Sequence, residues 1–201
     1  MWPLALRNIL DTALVRQKHV CPWWLCFTFD NPLRRLIHDP DTILGSHVRS
    51  GETVLDVGPG MGYFTIPLAE FVGSSGRVIA ADIQKRMLDT LLRRARRRGV
   101  ADRIQTHLSS IESIGVNQKV DFALAFWIVH EIADQRRFFR QIRDILNPSR
   151  CLLLAEPVIH VTRRMFSQTL DAAKEMGFTA IEYPRIAFSH SALLELREVR
   201  P

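Results

Sequence analysis

The chain has 201 residues, of which 47% are hydrophobic and 24% are charged, and its formal net charge is +6. This length can bury one sizeable hydrophobic core, and this composition excludes disordered and fibrous proteins. Apolar stretches such as residues 120–129 are far shorter than the ~20 residues of a membrane-spanning helix, and the N-terminus lacks the pattern of a secretory signal. We therefore expect one cytoplasmic domain, residues 1–201, without a membrane partner.

Cysteine and histidine positions bear on disulfides and metals. Cys21, Cys26 and Cys151 make an odd number, and an odd number without an export signal favours reduced thiols over a disulfide framework. The spacing of His19, Cys21, Cys26 and His38 fits no structural zinc pattern. We expect no metal site.

Residues 1–40 are predicted to form a helix followed by an aromatic segment. Apolar residues recur at helical spacing between positions 6 and 14, which is the pattern of a helix with one buried face. Trp23, Trp24 and Phe27 follow in a stretch rich in aromatic residues. These side chains either form a lid that excludes water from a reaction centre or pack the segment onto the remaining domain, residues 41–201.

From Thr53 onward, short β-branched segments alternate with amphipathic segments, which indicates βαβ units and a largely parallel sheet. The predicted strands cover residues 54–56, 77–82, 103–108, 120–127 and 151–156. A helix over residues 86–98 places apolar residues on one face and most of its arginines on the other, and Gly99 ends it. Asp134 and Thr162 are predicted to cap two further helices, which end before Asn147-Pro148 and Gly177.

The last segment changes character. Residues 178–183 and 188–196 are two extended runs without room between them for a crossover helix, so we expect them to pair as an antiparallel hairpin. The predicted fold class is α/β, with a doubly wound, mostly parallel sheet of seven strands that this C-terminal hairpin closes.

A glycine-rich loop with Gly58, Pro59, Gly60 and Gly62 follows the first predicted strand. Glycines permit a tight turn and let a ligand approach the backbone, and ligands bind at the carboxyl ends of strands in open α/β sheets. The spacing differs from the G-x-G-x-x-G fingerprint of dinucleotide-binding proteins. Asp56 lies two residues before the first glycine, where a carboxylate disfavours a diphosphate and favours a ligand with an ammonium group.

Asp82 ends the second predicted strand, where a carboxylate can accept hydrogen bonds from both hydroxyls of a ribose. With this residue, the loop resembles the first motif and the ribose-binding acid of class I S-adenosylmethionine-dependent methyltransferases over residues 41–201. The resemblance implies a Rossmann-like fold, S-adenosylmethionine as cofactor and S-adenosylhomocysteine as product. It places Asp56 and the loop near the methionine moiety, Asp82 at the ribose and Ile83 against the adenine.

The segment after the third predicted strand departs from the family pattern. The family commonly has an acidic residue there that accepts a hydrogen bond from the adenine amino group, whereas this chain has Ser109, Ser110 and Ile111. We expect the Ser110 hydroxyl to make a weaker contact of the same kind beside Ile111. Phe126, at the end of the fourth strand, completes the expected cofactor-binding residues.

The resemblance also implies that methyl transfer takes place at the end of the fourth strand. This reaction needs alignment of the nucleophile, plus a base when the acceptor carries a proton. His130 is the candidate base; alternatively it braces the loop, and Glu131 favours the start of the next helix. The segment resembles that of small-molecule enzymes, including quinone-biosynthesis and arsenite-methylating relatives, so a small-molecule acceptor is expected. The accepting atom stays open.

Other functions are compatible with parts of the sequence. The arginine cluster at residues 86–98 could contact phosphates, so an RNA methyltransferase is an alternative function. No aromatic residues are interleaved with the arginines, so a nucleic-acid partner is not favoured. A non-catalytic S-adenosylmethionine-binding subunit would use Trp23 and Trp24 as a partner surface. A nicotinamide-dependent dehydrogenase is disfavoured by the glycine spacing and by the terminal hairpin. A homodimer stays open.

Overall fold

A computed structural model describes residues 34–197 of the chain. Seven strands form one sheet in the order β3-β2-β1-β4-β5-β7-β6. They are β1 (Thr53–Val57), β2 (Arg77–Asp82), β3 (Ile104–Leu108), β4 (Val120–Phe126), β5 (Leu146–Pro157), β6 (Phe178–Glu182) and β7 (Ser189–Leu196). The first five strands pair in parallel. β7 pairs antiparallel with both β5 and β6, which confirms the predicted closing hairpin and fold class.

Helices cover both faces of the sheet. They are α1 (Arg34–Ile37), α2 (Pro40–Leu44), α3 (Thr65–Phe71), α4 (Lys85–Arg98), α5 (Gln135–Ile145) and α6 (Arg163–Glu175), with short 3-10 turns at Ala101–Arg103 and Val129–Glu131. One buried cluster joins the sheet to α5 and α6, and the other joins it to α2, α3 and α4. Parallel strands bring their carboxyl ends together, and ligands bind open α/β sheets at that edge, which here is where β1, β2, β4 and β5 end.

The predicted helix caps are correct. Asp134 accepts a hydrogen bond from the backbone N–H of Arg137 at the start of α5, and Thr162 does the same for Met165 at the start of α6. Gly99 ends α4 in the left-handed conformation, for which glycine has no Cβ penalty.

The start of β5 differs from the prediction. The strand begins at Leu146, directly after α5, and not at Cys151. Its register against β4 shifts, because Val120 pairs with Leu146 whereas Phe122 pairs with Cys151. The intervening residues bulge out of the ladder, so Asn147-Pro148 does follow the helix but lies within the irregular first part of the strand.

The predicted helix and aromatic segment before Arg34 lie outside the described residues, so the proposed division at residue 40 stays a prediction. None of the helices between residues 34 and 197 combines the length and apolar character of a membrane-spanning segment.

Candidate active site

The glycine loop joins β1 to α3, and its three glycines have positive φ angles of 67°, 54° and 90°. A Cβ added at Gly58 would lie 2.8 Å from Cγ1 of Ile128, and one at Gly62 would lie 2.9 Å from Cγ of Leu91. A Cβ added at Gly60 would meet no atom within 4 Å. The outer two glycines therefore permit close packing, whereas Gly60 presents its backbone to open space.

Two buried carboxyl groups adjoin this loop. The Thr65 hydroxyl donates to Oδ2 of Asp56 at 2.6 Å, and the backbone N–H groups of Gln84 and Gly60 donate to Asp82 at 2.8 and 3.3 Å. The pKa of Asp56 is raised to about 7, chiefly by burial; the Thr65 hydrogen bond acts to lower it, and the charge of Asp82 acts to raise it. Burial likewise raises the pKa of Asp82 to about 6. A cationic ligand would stabilise both ionised carboxylates.

The loop after β3 lies beside Asp82, because the Ser109 N–H donates to the Asp82 carbonyl at 2.9 Å. Ile83 is partly exposed and Ile111 is 84% exposed, so both offer apolar surface next to the carboxylate. The Ser110 hydroxyl accepts from the N–H of Ser113 at 3.0 Å, which ties it into its own turn. The structure thus brings these predicted residues to one edge, and their contact with an adenine stays a prediction.

Phe126 lies in an aromatic cluster and is 7% exposed. Its ring centroid is 4.5 Å from that of Phe64, 5.4 Å from that of Trp127 and 5.3 Å from that of His38. Most of its surface is therefore covered by protein, and any contact with a cofactor would involve a small part of the ring.

Arg34 is a residue of this region that the sequence reasoning missed. Its guanidinium carbon lies 4.1 Å from the ring centre of Tyr63 and within 6 Å of three further aromatic rings. The Tyr63 hydroxyl donates to the His38 carbonyl at 2.7 Å, which holds α1 near the glycine loop. The positive charge of Arg34 acts to lower the pKa of Asp56. Nothing in the local sequence signals this long-range contact.

Trp127 follows β4 with a φ of 60°, so the strand ends one residue earlier than predicted. A bulky residue rarely adopts this left-handed conformation, and such strain clusters at functional sites. The Trp127 N–H donates to the Ala155 carbonyl at 2.7 Å, and its indole N–H donates to Oγ of Ser189 at 2.9 Å. These contacts hold the turn that carries His130.

His130 lies in the 3-10 turn after β4 and contacts Glu156, near the end of β5. The Nδ1 atom of His130 lies 2.6 Å from Oε2 of Glu156, and its ring stacks near that of His160 with centroids 5.9 Å apart. Burial acts to lower the pKa of His130, but the hydrogen bond and charge of Glu156 outweigh it, with Glu131 adding a smaller effect, so the pKa is raised. Glu156 was missed as a site residue, although an acid ending the strand beside β4 was a usable signal.

Other predicted features lie apart from this edge or outside the described residues. Between residues 34 and 197, no three His, Cys, Asp or Glu side chains are grouped to hold a metal ion. Burial raises the pKa of the Cys151 thiol, whereas His19, Cys21 and Cys26 lie outside the described residues. On α4, Arg86, Arg93 and Arg96 line an open groove of about 440 Å³.

Comparisons with known proteins identify the family of the chain. The family model described as "Methyltransferase domain" matches residues 48–191. The ubiquinone/menaquinone biosynthesis C-methyltransferase UbiE of Enterobacter sp. (strain 638) is 30% identical over 116 residues, which are 57% of this chain and 46% of that protein. The chain thus spans about half the length of the curated relatives it matches.

Two solved structures share the fold. A SAM dependent methyltransferase from Aquifex aeolicus superposes with a TM-score of 0.79 at 20% identity, covering 88% of this chain and 100% of that one. A SAM-dependent O-methyltransferase from Thermotoga maritima has a TM-score of 0.65 at 19% identity, covering 81% of this chain and 66% of that one. At such identities the likeness shows the fold alone, and the family match carries the assignment. The chain belongs to the class I S-adenosylmethionine-dependent methyltransferase family, as the glycine loop and Asp82 predicted.

Proposed function

We propose that this protein transfers the methyl group of S-adenosylmethionine to a small-molecule acceptor. One observation carries the proposal: Gly60 faces open space beside two buried carboxyl groups, those of Asp56 and Asp82. Backbone that a ligand can approach, next to carboxylates that a cation would stabilise, suits a cationic nucleoside.

The residues at this edge match the parts of the cofactor. Asp82 would accept hydrogen bonds from the ribose hydroxyls, and Ile83, Ser110 and Ile111 would contact the adenine. The amino acid end of the cofactor carries one ammonium and one carboxylate. Asp56 and Arg34 have the opposite charges and lie close enough to affect one another, so together they suit both ends of that zwitterion.

Bound S-adenosylmethionine supplies an electrophilic methyl group on a sulfonium. The contribution of the chain is to hold the acceptor in line with that group and to exclude water. His130, at the end of β4, is the proposed base for an acceptor whose reacting atom carries a proton. The name of the UbiE relative, a C-methyltransferase of quinone biosynthesis, supports a small acceptor.

Calorimetry with S-adenosylmethionine tests the proposal. We expect the parent protein to bind the cofactor and Asp82→Ala to weaken binding at least about tenfold, because charged hydrogen bonds contribute roughly 1.5–3 kcal/mol. Asp89→Ala is the matched control, since this aspartate is exposed on α4 and pairs with Lys85. A folded parent protein that binds no cofactor would refute the proposal. Binding without formation of S-adenosylhomocysteine over a wide panel of small acceptors would instead indicate a non-catalytic subunit.

A further inference from the structure

We propose that Glu156 is a positioning residue that holds His130 as a general base, and that the acceptor is an apolar molecule with a weakly acidic hydroxyl, such as a phenol or enol. This inference rests on the proposed function and names the substrate class of the same site.

Glu156 is built into the turn that carries the base. Its side chain is 1% exposed, and it accepts hydrogen bonds from the backbone N–H groups of Val129 at 2.9 Å and His130 at 3.0 Å. Its third contact is with Nδ1 of His130 at 2.6 Å. A buried carboxylate needs such donors, so these contacts fix both the backbone of the turn and the direction of the imidazole.

The contact with Glu156 also selects the tautomer of His130. A carboxylate only accepts hydrogen bonds, so in the neutral imidazole Nδ1 carries the proton and Nε2 keeps its lone pair. The side chain of His130 is 19% exposed, so part of it is accessible from outside the protein. A neutral imidazole held in this way, with a carboxylate that stabilises the imidazolium formed later, is suited to remove a proton.

The hydroxyl oxygen of the acceptor forms a bond to the methyl carbon with its own electron pair, while the methyl–sulfur bond breaks and leaves its pair on sulfur. The hydroxyl proton passes to Nε2 of His130, and Glu156 stabilises the resulting imidazolium. Release of this proton to water restores the base.

The surface beside Glu156 favours an apolar acceptor. Val158, Ile159 and Phe188 are all exposed, Ile159 to 83%. They lie together at the end of β5 and the start of β7, because the Val158 N–H donates to the Phe188 carbonyl at 3.0 Å. Small-molecule sites are lined mainly by apolar side chains with few polar groups, and here His130 and Glu156 supply those polar groups.

Two kinds of phenol separate base catalysis from a structural role. The first kind is protonated at the assay pH, and the second, such as a nitrophenol, is already ionised. For protonated phenols we expect His130→Asn to lower kcat/KM by roughly 10²- to 10⁴-fold. For the ionised phenol the loss should be only a few fold, because that acceptor needs no base.

Glu156→Gln tests the positioning role. For protonated phenols, kcat/KM of the parent should rise with pH as His130 loses its proton. Removing the negative charge of Glu156 lowers the pKa of His130, so this rise should move to lower pH while the plateau falls at least about tenfold. Glu195→Gln is the matched control: Glu195 lies on β7 opposite Cys151, at the other end of the same strand pair, and should leave the profile unchanged.

Nitrogen-15 NMR of the histidine rings gives a readout that does not depend on activity or on the stability of Glu156→Gln. In the parent protein, at a pH high enough for the imidazole to be neutral, His130 should carry its one ring proton on Nδ1. A neutral imidazole with its proton on Nε2 would overturn the inference. An equal fall in kcat/KM for both kinds of phenol in His130→Asn would overturn it as well. A parent protein that binds S-adenosylmethionine and methylates only acceptors without a hydroxyl would overturn it too and leave the proposed function standing. Failure to bind the cofactor would refute the proposed function itself.

Discussion

The glycines at positions 58, 60 and 62 share positive φ angles but have different neighbours, so the same substitution should have different effects. A Cβ at Gly62 would overlap Leu91, whereas one at Gly60 would enter open space. We expect Gly62→Ala to lose stability through both overlap and strain. Gly60→Ala should lose only the strain of a left-handed conformation, roughly 1–3 kcal/mol, and yet weaken cofactor binding. Urea unfolding of both variants measures the loss of stability, and calorimetry measures the loss of cofactor binding. If both variants lost the same stability and the same affinity, the different roles assigned to Gly60 and Gly62 would be contradicted.

The buried carboxyl groups of Asp56 and Asp82 make stability depend on pH. Their pKa values in the folded protein, about 7 and about 6, lie above the ordinary value of 3.8, so the folded state binds more protons than the unfolded state between these values. The stability they contribute is complete below about pH 4 and is lost as pH rises through about 6 to 7.

We therefore expect Asp56→Asn to flatten the fall in stability between pH 5 and pH 7.5, because the amide cannot ionise. Urea midpoints of the cofactor-free protein at the two pH values measure this. Asp89→Asn, an exposed residue of α4, should leave the pH dependence of the parent unchanged. If the urea midpoint of Asp56→Asn fell between pH 5 and pH 7.5 as much as that of the parent, Asp56 would not titrate in this pH range.

At the scale of elements, β1 and β4 are tied to the irregular start of β5 by Arg150. Its guanidinium lies 2.8 Å from the buried side chain of Glu52 and 3.8 Å from Asp121. Arg150→Met would leave Glu52 without this cation, so we expect a loss of roughly 1–3 kcal/mol in the free energy of unfolding. Arg143→Met, which breaks an exposed pair with Asp144, should cost at most about 1 kcal/mol. Equal losses of unfolding free energy in the two variants would mean that the contacts of Arg150 with Glu52 and Asp121 stabilise the protein no more than an exposed ion pair does.

The arginine-rich helix α4 allows a test of the RNA alternative. α4 buries Met87, Leu88, Leu91 and Ala95 and exposes Arg93 and Arg97. We expect the double variant Arg93→Glu and Arg97→Glu to bind S-adenosylmethionine as the parent does, since both charges lie on the outer face of the helix. Salt-sensitive retention of RNA by the parent, lost in this variant, would instead favour a nucleic-acid acceptor.

At the scale of the whole molecule, the closing hairpin is part of the core. β7 pairs with β5 from Cys151 to Pro157 and buries Ala192, Leu193 and Leu194. Removal of the chain from Phe178 onward would expose β5 and the apolar surface under it. We expect this truncated protein to lose its cooperative thermal transition and to bind a hydrophobic dye. A cooperative transition close to that of the parent would show that the hairpin is dispensable for folding.

Several elements could be predicted because their signals are local. Asp134 and Thr162 cap their own helices, and the alternation of apolar segments predicted all seven strands. The early start of β5 was missed, since a register shift against β4 depends on the partner strand and leaves no pattern in residues 147–150. The sequence also predicted Trp127 as part of β4, because its left-handed φ depends on contacts with Ala155 and Ser189, which lie far away in the chain.

The sequence by itself determined the family and the cofactor expectation, because the glycine loop and Asp82 are short motifs whose spacing is set by one strand, one turn and one helix. Only the tertiary structure decided which side chains from distant segments meet at that edge. Arg34 reaches the rings around the glycine loop, and Glu156 reaches His130 across 26 positions of sequence. Such contacts follow from the order of strands in the sheet and from the packing of α1, which bring together residues that have no local relation in the chain.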